Sequence, residues 1–157
     1  VDTTSDGSIF TVYLPISDEL PDPVVEGESS SEDIRGSGSI LVVDDEGLQR
    51  EIAGNILAEL GYDVFLVSSG EAAIEYLEKQ VVDLVLLDML MPPGINGRIT
   101  YEGIHSRNPA QKVLLTSGFS QSGDIDATLA MGAGSFLKKP YTFQQLGEAV
   151  RDELARK

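Results

Sequence analysis

Four short apolar runs in this sequence each end in residues whose side chains can do chemistry. Asp44 and Asp45 follow the first run, Asp88 closes the second, Ser117 closes the third, and Lys139 follows the fourth. If these runs are parallel strands of an open α/β sheet, their carboxyl ends form one crevice where ligands bind. The sequence therefore predicts a single site that contains three acids, one hydroxyl and one ammonium group.

This combination of groups suits a phosphoryl group held beside a divalent cation. Three neighbouring carboxylates raise one another's pKa values, and a bound cation removes that penalty. Carboxylate oxygens select Mg²⁺ or Mn²⁺ over zinc, and a partly filled coordination sphere leaves room for phosphate oxygens. Lys139 could balance a phosphoryl group as a point charge, and Ser117 could hydrogen-bond one of its oxygens. Asp88 is then placed to attack phosphorus and carry an aspartyl phosphate.

The alternation of apolar runs with helical patterns from Ser39 onward indicates βα units and a parallel sheet. The sequence predicts strands near 39–44, 62–67, 83–88, 112–117 and 134–137. It predicts helices near 46–60, after Gly70, near 97–107, near 122–131, and after Thr142. In the first helix an apolar stripe is expected to face inward, and it consists of Leu48, Ile52, Ile56, Leu57 and Leu60. Five βα units of this length resemble a doubly wound, flavodoxin-like α/β fold with strand order 2-1-3-4-5.

Composition separates an acidic amino-terminal segment from an ordinary globular domain. Residues 1–38 hold nine acids and one base, whereas residues 39–157 hold seventeen acids and ten bases. The acidic segment repels nucleic-acid phosphates, so no nucleic-acid partner is expected. No apolar run approaches the roughly 18 residues of a membrane span, so no membrane contact is expected. Cysteine is absent, which excludes disulfides and thiolate catalysis and fits a reducing compartment.

The amino-terminal segment itself divides into a strand-like part and a linker-like part. Ile9 to Leu14 is rich in β-branched and aromatic residues, which predicts a strand that has no partner in this segment. Residues 17–38 are dominated by Ser, Glu, Asp, Gly and Pro, the composition of a solvated linker. The chain opens on Val1 rather than Met, which suggests a fragment of a longer protein.

Four motifs occur in order across residues 39–157 and resemble the receiver domain of two-component response regulators. They are Leu41-Val42-Val43-Asp44-Asp45-Glu46, Leu86-Leu87-Asp88-Met89-Leu90-Met91-Pro92, Leu114-Leu115-Thr116-Ser117-Gly118 and Phe136-Leu137-Lys138-Lys139-Pro140-Tyr141. The resemblance implies Asp88 as phosphoacceptor and a Mg²⁺ or Mn²⁺ ion bound by Asp45, Asp44, Asp88 and the Leu90 backbone carbonyl. It implies Ser117 and Lys139 as phosphoryl contacts, Phe136 as the aromatic that reorients, and a cis bond before Pro140.

The resemblance also implies how such a domain works. Asp88 takes a phosphoryl group from a phosphohistidine, on a histidine kinase domain or a histidine phosphotransfer protein, and the new charge switches a partner-binding surface. That surface is formed by the fourth helix, the fifth strand and the fifth helix. The fragment is therefore expected to be a phosphoacceptor in a phosphorelay rather than a turnover enzyme, in the cytoplasm, with any membrane anchor left to the parent chain.

The amino-terminal remnant, Gly7 to Pro15, looks like the closing strand of a histidine kinase ATP-binding domain. Followed by an acidic linker and a receiver, it suggests the tail of a hybrid histidine kinase. The expected division is 1–16 for the kinase remnant, 17–38 for the flexible linker and 39–157 for the receiver. No ATP-binding motif is present, so the fragment is not expected to bind ATP.

The sequence departs from the usual receiver pattern in two places. The loop from Met91 to Gly97 is one residue longer than usual, which leaves its backbone path open. Two residues beyond Asp88 and Ser117, where receivers tune hydrolysis, stand Leu90 and Phe119. Neither side chain can orient a water molecule, so a slowly hydrolysing phosphoaspartate is expected. Lys138 also adjoins Lys139, and adjacency to Pro140 selects Lys139.

Other interpretations remain open at this point. Asp44 and Asp45 could be helix N-caps, Asp88 a turn residue, Ser117 a loop residue, Lys139 a solvated lysine and Phe136 a core residue. An aspartate-nucleophile phosphatase shares Mg²⁺ and a similar sheet, but it needs a second carboxylate where Leu90 stands. A receiver-shaped interaction module without phosphorylation is the other alternative, and the complete acid, hydroxyl and lysine set disfavours it.

Overall fold

The computed structural model describes residues 2–4, 7–9, 11, 34–118 and 123–156. Two short strands, β1 (Asp2–Thr4) and β2 (Gly7–Ile9), pair antiparallel with Asp2 opposite Ile9. Of the strand expected over Ile9 to Leu14, only Ile9 lies in β2, and Thr11 is not in a strand. The expectation that this segment offers no partner strand was wrong at Ile9, because the polar stretch Asp2–Thr4 also adopts extended backbone. Positions 10 and 12–14 of that prediction lie outside the described residues.

From residue 39 onward the described chain forms a parallel sheet with helices on both faces. Its elements are β3 (Ser39–Val43), α1 (Gly47–Glu59), β4 (Asp63–Val67), α2 (Gly70–Lys79), β5 (Leu84–Asp88), α3 (Gly97–Arg107), β6 (Val113–Ser117), α4 (Gly123–Ala130), β7 (Phe136–Lys138) and α5 (Phe143–Ala155). The strand order is β4-β3-β5-β6-β7 and every neighbouring pair is parallel. This confirms the flavodoxin-like 2-1-3-4-5 order expected from the sequence.

The apolar strands build a separate core on each face of the sheet because successive side chains point to opposite sides. Leu41, Val43, Val85 and Leu87 face α2, α3 and α4. The alternate residues of the same strands face α1 and α5, and they are Ile40, Val42, Leu84 and Leu86. Strands β5 and β6 are buried along their whole length, as expected for central strands covered on both sides.

Helix α1 packs the carboxyl-terminal part of the predicted stripe, Ile56, Leu57 and Leu60, against the core, but not its amino-terminal part. Leu48 and Ile52 are 64% and 43% exposed, whereas Ala53, Leu57 and Leu60 are buried against the sheet. Four residues advance an α-helix about 40° beyond a full turn, so a stripe spaced by four winds around the helix. The amino-terminal end of the predicted stripe therefore faces solvent.

The packed domain also begins earlier than the predicted boundary at residue 39. Ile34 is 4% exposed and lies in the same core cluster as Leu57, Leu60 and Leu146. The Gly36 N–H donates a hydrogen bond to the Leu60 carbonyl over 3.0 Å. Residues 34–38 thus pack on the receiver instead of belonging to a solvated linker, because one buried isoleucine outweighs the polar composition around it.

None of the helices in the described ranges has both the length and the apolar character needed to cross a membrane.

Candidate functional site

The three predicted acids converge at the carboxyl end of the sheet. Asp44 and Asp45 directly follow β3, and Asp88 is the last residue of the adjacent strand β5. Each offers a carboxylate oxygen, and these oxygens lie within 4.8 Å of one another. Asp44 and Asp88 are buried, whereas Asp45 is exposed. Two acids are therefore held inside the protein while the third faces solvent beside them.

Asp44 is fixed by backbone contacts on both sides. Its N–H donates to the Val67 carbonyl over 3.3 Å, and its Oδ1 accepts from the Glu46 N–H over 2.9 Å. The Arg50 Nη1 donates to the Asp44 carbonyl over 2.5 Å. Asp44 thus does interact with the start of α1, as the capping interpretation expected, but its second carboxylate oxygen remains directed at the site.

Lys139 joins the two buried acids. Its Nζ donates to Asp44 Oδ2 over 2.6 Å and to Asp88 Oδ2 over 3.0 Å. The Lys139 side chain is only 13% exposed. The Lys139–Pro140 peptide bond is cis, as the resemblance implied. Lys138 is exposed, so of the two adjacent lysines it is Lys139 that reaches the acids.

The site raises the pKa of both Asp88 and Lys139. Burial is the main cause of the raised pKa of Asp88, and the neighbouring Asp44 carboxylate adds to it, while Lys139 opposes it. Burial alone would lower the pKa of Lys139, but hydrogen bonds and Coulomb attraction from Asp44 and Asp88 outweigh burial. Lys139 is therefore held as a cation, and it offsets a repulsion between carboxylates that would otherwise favour protonation of Asp88.

Ser117 closes β6 between the strands that carry Asp88 and Lys139. Asp88 pairs with Thr116 in the neighbouring strand, and Ser117 pairs with Lys138 on the other side. The Ser117 carbonyl accepts a hydrogen bond from the Lys139 N–H over 2.8 Å. The backbone of β6 therefore links the phosphoacceptor candidate to the lysine, and Ser117 is buried at that junction.

Phe136 begins β7 opposite Leu115 of β6. Its ring is partly buried and packs against the core cluster on the α2, α3 and α4 face. Phe136 is thus partly a core residue, and its burial is incomplete.

An open cleft gives access to the acids. It is lined by Asp45, Glu46, Gln49, Asp88, Leu90, Gly118, Lys139 and Pro140. Sequence reasoning did not single out Glu46 or Gln49 as site residues. Their positions in the sequence could have indicated them, because Glu46 directly follows the acid pair and Gln49 lies three residues later, on the same side of the first helical turn.

Leu90 extends into this cleft and leaves the predicted hydrolysis position apolar. Its side chain is exposed, and its N–H donates a long 3.4 Å hydrogen bond to Asp88 Oδ1. Phe119, the other residue invoked for slow hydrolysis, lies outside the described residues. The observed geometry thus brings together Asp44, Asp45, Asp88 and Lys139 directly, with Leu90 at the entrance.

The longer loop after Asp88 follows a defined path. The Ile95 N–H donates to Glu71 Oε1 over 3.0 Å, which ties the loop to α2. The Gly97 N–H donates to the Met89 carbonyl over 3.2 Å. A Cβ on Gly97 would lie 2.6 Å from the Asp88 carbonyl oxygen, so only glycine allows α3 to begin this close to the site.

The donor set fits a small hard cation. All three groups are carboxylates, and Asp45 faces the cleft, where a cation could keep water or phosphate oxygens as further ligands. Within the described residues no other cluster of three potential metal ligands occurs. Mg²⁺ or Mn²⁺ bound there would supply positive charge to a transferring phosphoryl group.

Fold and site together define a class of signalling domain, and comparison with known proteins agrees. A family model described as the response regulator receiver domain matches residues 40–151. This chain belongs to the receiver domain family of two-component systems. A solved CheY-like receiver domain protein from Methanospirillum hungatei superimposes with a TM-score of 0.72 at 24% identity, covering 76% of this chain and 95% of that one.

Two curated relatives place such receivers in different larger proteins. The transcriptional regulatory protein ZraR of Salmonella typhimurium is 37% identical over 122 residues, covering 78% of this chain. The sensor kinase CckA of Brucella abortus is 30% identical over 159 residues, covering 96% of this chain. This chain spans 27% of the length of ZraR and 17% of the length of CckA.

Proposed function

We propose that this receiver accepts a phosphoryl group on Asp88 with the help of Mg²⁺ or Mn²⁺. The observation that carries the proposal is the position of the Asp88 carboxylate, between two further acids and the Lys139 ammonium at the floor of an open cleft. A buried acid paired with a lysine and open to solvent on one side has the surroundings of a reactive group.

In this proposal each residue has a separate role in the transfer. An Asp88 oxygen attacks phosphorus, its bond to phosphorus forms as the bond from phosphorus to the donor nitrogen breaks, and the electron pair leaves with the imidazole. Asp45, Asp44 and the Leu90 backbone carbonyl hold the cation. The Lys139 ammonium contacts the Asp88 carboxylate before transfer and a phosphoryl oxygen after it. The Ser117 hydroxyl donates a hydrogen bond to another phosphoryl oxygen.

The same proposal gives the phosphorylated state a structural consequence. A dianionic group on Asp88 attracts the Ser117 hydroxyl, and the vacated space lets Phe136 turn. Phe136 starts β7, which precedes α5, so the surface formed by α4, β7 and α5 changes with it. Signalling is then a shift between two populations of this surface.

We further infer that the phosphodonor is a phosphohistidine and that this chain is part of a hybrid histidine kinase. The similarity to CckA supports this, because an alignment covering 96% of this chain includes most of residues 1–38. The division into a kinase remnant at 1–16, a linker from 17 and a receiver remains a proposal. Transfer of labelled phosphate from an isolated phosphohistidine domain to this chain tests the donor class.

Acetyl phosphate tests the proposed reaction without a protein donor. With Mg²⁺, the chain is expected to gain one phosphoryl group by mass, located by peptide mapping to the segment that contains Asp88. Chelation of the divalent cation is expected to slow the reaction by about 100-fold or more, because the cation stabilises the charge of the transition state by several kcal/mol. Steady release of free phosphate would instead support a phosphatase, and no reaction would support an unmodified interaction module.

The apolar Leu90 leads to a prediction about the lifetime of the phosphorylated state. Leu90→Asn places an amide at the cleft, where it can orient an attacking water molecule, and is expected to shorten the lifetime on the order of 10-fold. Ile99→Asn, the same kind of change at an exposed apolar position on α3, is expected to leave it unchanged. Phosphate loss followed by mass measures both, and a longer lifetime in Leu90→Asn would contradict the assignment.

A further inference from the structure

Residues 34–38, called the arm here, lie against the end of α1 and the start of the sheet, and Ile34 packs between α1 and α5. Ile34 belongs to the core cluster formed by Leu57 and Leu60 of α1 and by Leu146 and Val150 of α5. The absence of a side chain at Gly147 creates room for it, since a Cβ there would lie 3.2 Å from Ile34 Cδ1 and 3.1 Å from Leu60 Cδ1. The Ile34 side chain therefore fills a space between α1 and α5 that exists because residue 147 is glycine.

Backbone contacts hold the arm on the same surface. The Gly36 N–H donates to the carbonyl of Leu60, the residue that caps α1, and the Gly38 carbonyl accepts from the Asp63 N–H over 2.9 Å. Gly36 must be glycine here, because a Cβ would collide with the Tyr62 hydroxyl. Burial of Ile34 and the backbone hydrogen bonds of Gly36 and Gly38 thus hold the arm at three separate positions.

The arm lies at the end of the domain opposite the acidic cleft. Ser39 starts β3 next to the arm, whereas Asp44 follows the other end of that strand, about 17 Å away for five residues. Helix α1 likewise begins at the cleft and ends at Glu59, next to the arm, after roughly 20 Å. Any chain that precedes Ile34 is therefore attached to the face of the receiver farthest from Asp88.

We propose that the arm is an anchor, the segment that attaches the upstream chain to the receiver through the packing of Ile34 between α1 and α5. The partner of this surface is the chain itself, and the anchoring residue is Ile34. Ile34 contacts Leu57 and Leu60 at the far end of α1, so the docked arm leaves the exposed apolar residues Leu48 and Ile52, on the cleft half of the helix, free for a phosphodonor. Only this last consequence rests on the proposed function.

Trypsin provides a direct test with the full chain. Arg35 is the only lysine or arginine in residues 1–38, so cleavage after it releases one identifiable fragment, residues 1–35. The Arg35 side chain is exposed, but a protease needs several neighbouring residues in an extended, undocked form. Cleavage after Arg35 in the folded wild type is therefore expected to be at least about 10-fold slower than in the urea-unfolded chain.

Variants separate docking of the arm from stability of the whole domain. Ile34→Ser is expected to speed cleavage after Arg35 by about 10-fold or more, whereas Ser37→Ala, at an exposed arm position, is expected to leave it unchanged. Cleavage after Arg50, within α1, reports global unfolding in the same digest and should remain slow. Equal rates for wild type and Ile34→Ser would overturn the anchor, as would equal acceleration at Arg35 and Arg50. Phosphorylation of Asp88 plays no part in these outcomes.

Discussion

Asp88→Asn is expected to abolish phosphorylation by acetyl phosphate while leaving the fold intact. The amide has the shape of the carboxylate but lacks the anionic oxygen that attacks phosphorus. Asp83→Asn is the matched control, because Asp83 immediately precedes the same strand and lies at the opposite end of the sheet. Mass measurement after incubation with Mg²⁺ is expected to show one phosphoryl group on the control and none on Asp88→Asn.

The same substitution is expected to stabilise the protein at neutral pH. Burial and the nearby Asp44 raise the pKa of Asp88 above its ordinary 3.8, so folding favours the protonated acid. Stability from this group is then fully present below the ordinary value and is lost as pH rises through the raised pKa. Wild type at neutral pH carries that penalty, and the neutral amide removes it, for a gain on the order of 1 kcal/mol.

Urea unfolding at neutral pH and at about pH 4 shows whether Asp88→Asn stabilises the fold. The difference in free energy of unfolding between variant and wild type should become smaller at the lower pH, because Asp88 becomes protonated there. Lys139 keeps its 2.6 Å contact with Asp44 in the variant, so no buried cation is left unpaired. A variant less stable than wild type at neutral pH would show that the Lys139–Asp88 pair stabilises the fold more than burial and Asp44 oppose it. Phosphorylation of Asp88→Asn would show that another residue accepts the phosphoryl group.

Much of this fold follows from local sequence patterns, and the exceptions have physical causes. The five parallel strands were predictable because each strand is a short apolar run bounded by turn and cap residues, and their order followed from the resemblance of five βα units to a doubly wound sheet. The amino-terminal half of α1 was predicted wrongly, because Leu48 and Ile52 are apolar residues that face solvent. Hydrophobicity alone cannot distinguish an apolar residue that faces the core from one that is exposed to solvent.

The convergence of the acids and the lysine was predictable for a reason that does not extend to the whole site. Parallel strands bring their carboxyl ends to one edge, so Asp44, Asp88 and Lys139 are expected near one another from their positions alone. The contact of Arg50 with the Asp44 carbonyl depends on a long side chain reaching back six residues, past the start of α1. The burial of Ile34 depends on the absence of a side chain at Gly147, 113 positions along the chain, and no local pattern records such a pairing.

Lys139→Met is expected to be the most destabilising single change at the site. The ammonium contacts carboxylates of Asp44 and Asp88 whose side chains are only 5% and 10% exposed. Methionine preserves the length of the side chain but leaves two buried like charges without a counter-charge. Removing one partner of a buried ion pair costs about 3–5 kcal/mol, a large part of the stability of a domain this size.

The free energy of unfolding of wild type and of Lys139→Met should depend differently on pH. The pKa of Lys139 is raised above 10.5 in the folded protein, so its stabilising charge is fully present at neutral pH and is lost only in strongly alkaline solution. In Lys139→Met the remaining carboxylates repel each other at neutral pH. Acidification should relieve that repulsion first at Asp88, whose pKa is already raised. The difference in free energy of unfolding between wild type and Lys139→Met should therefore become smaller as pH falls.

Urea unfolding of Lys139→Met and Lys138→Met separates this effect from the loss of any lysine. Lys138 is exposed, and its replacement is expected to change the free energy of unfolding by no more than about 0.5 kcal/mol. Mg²⁺ should restore part of the stability of Lys139→Met, because a cation among Asp44, Asp45 and Asp88 replaces the missing charge. Equal effects of the two substitutions, or no rescue by Mg²⁺, would mean that Lys139 does not balance these acids, and its proposed contact with a phosphoryl group would lose its basis.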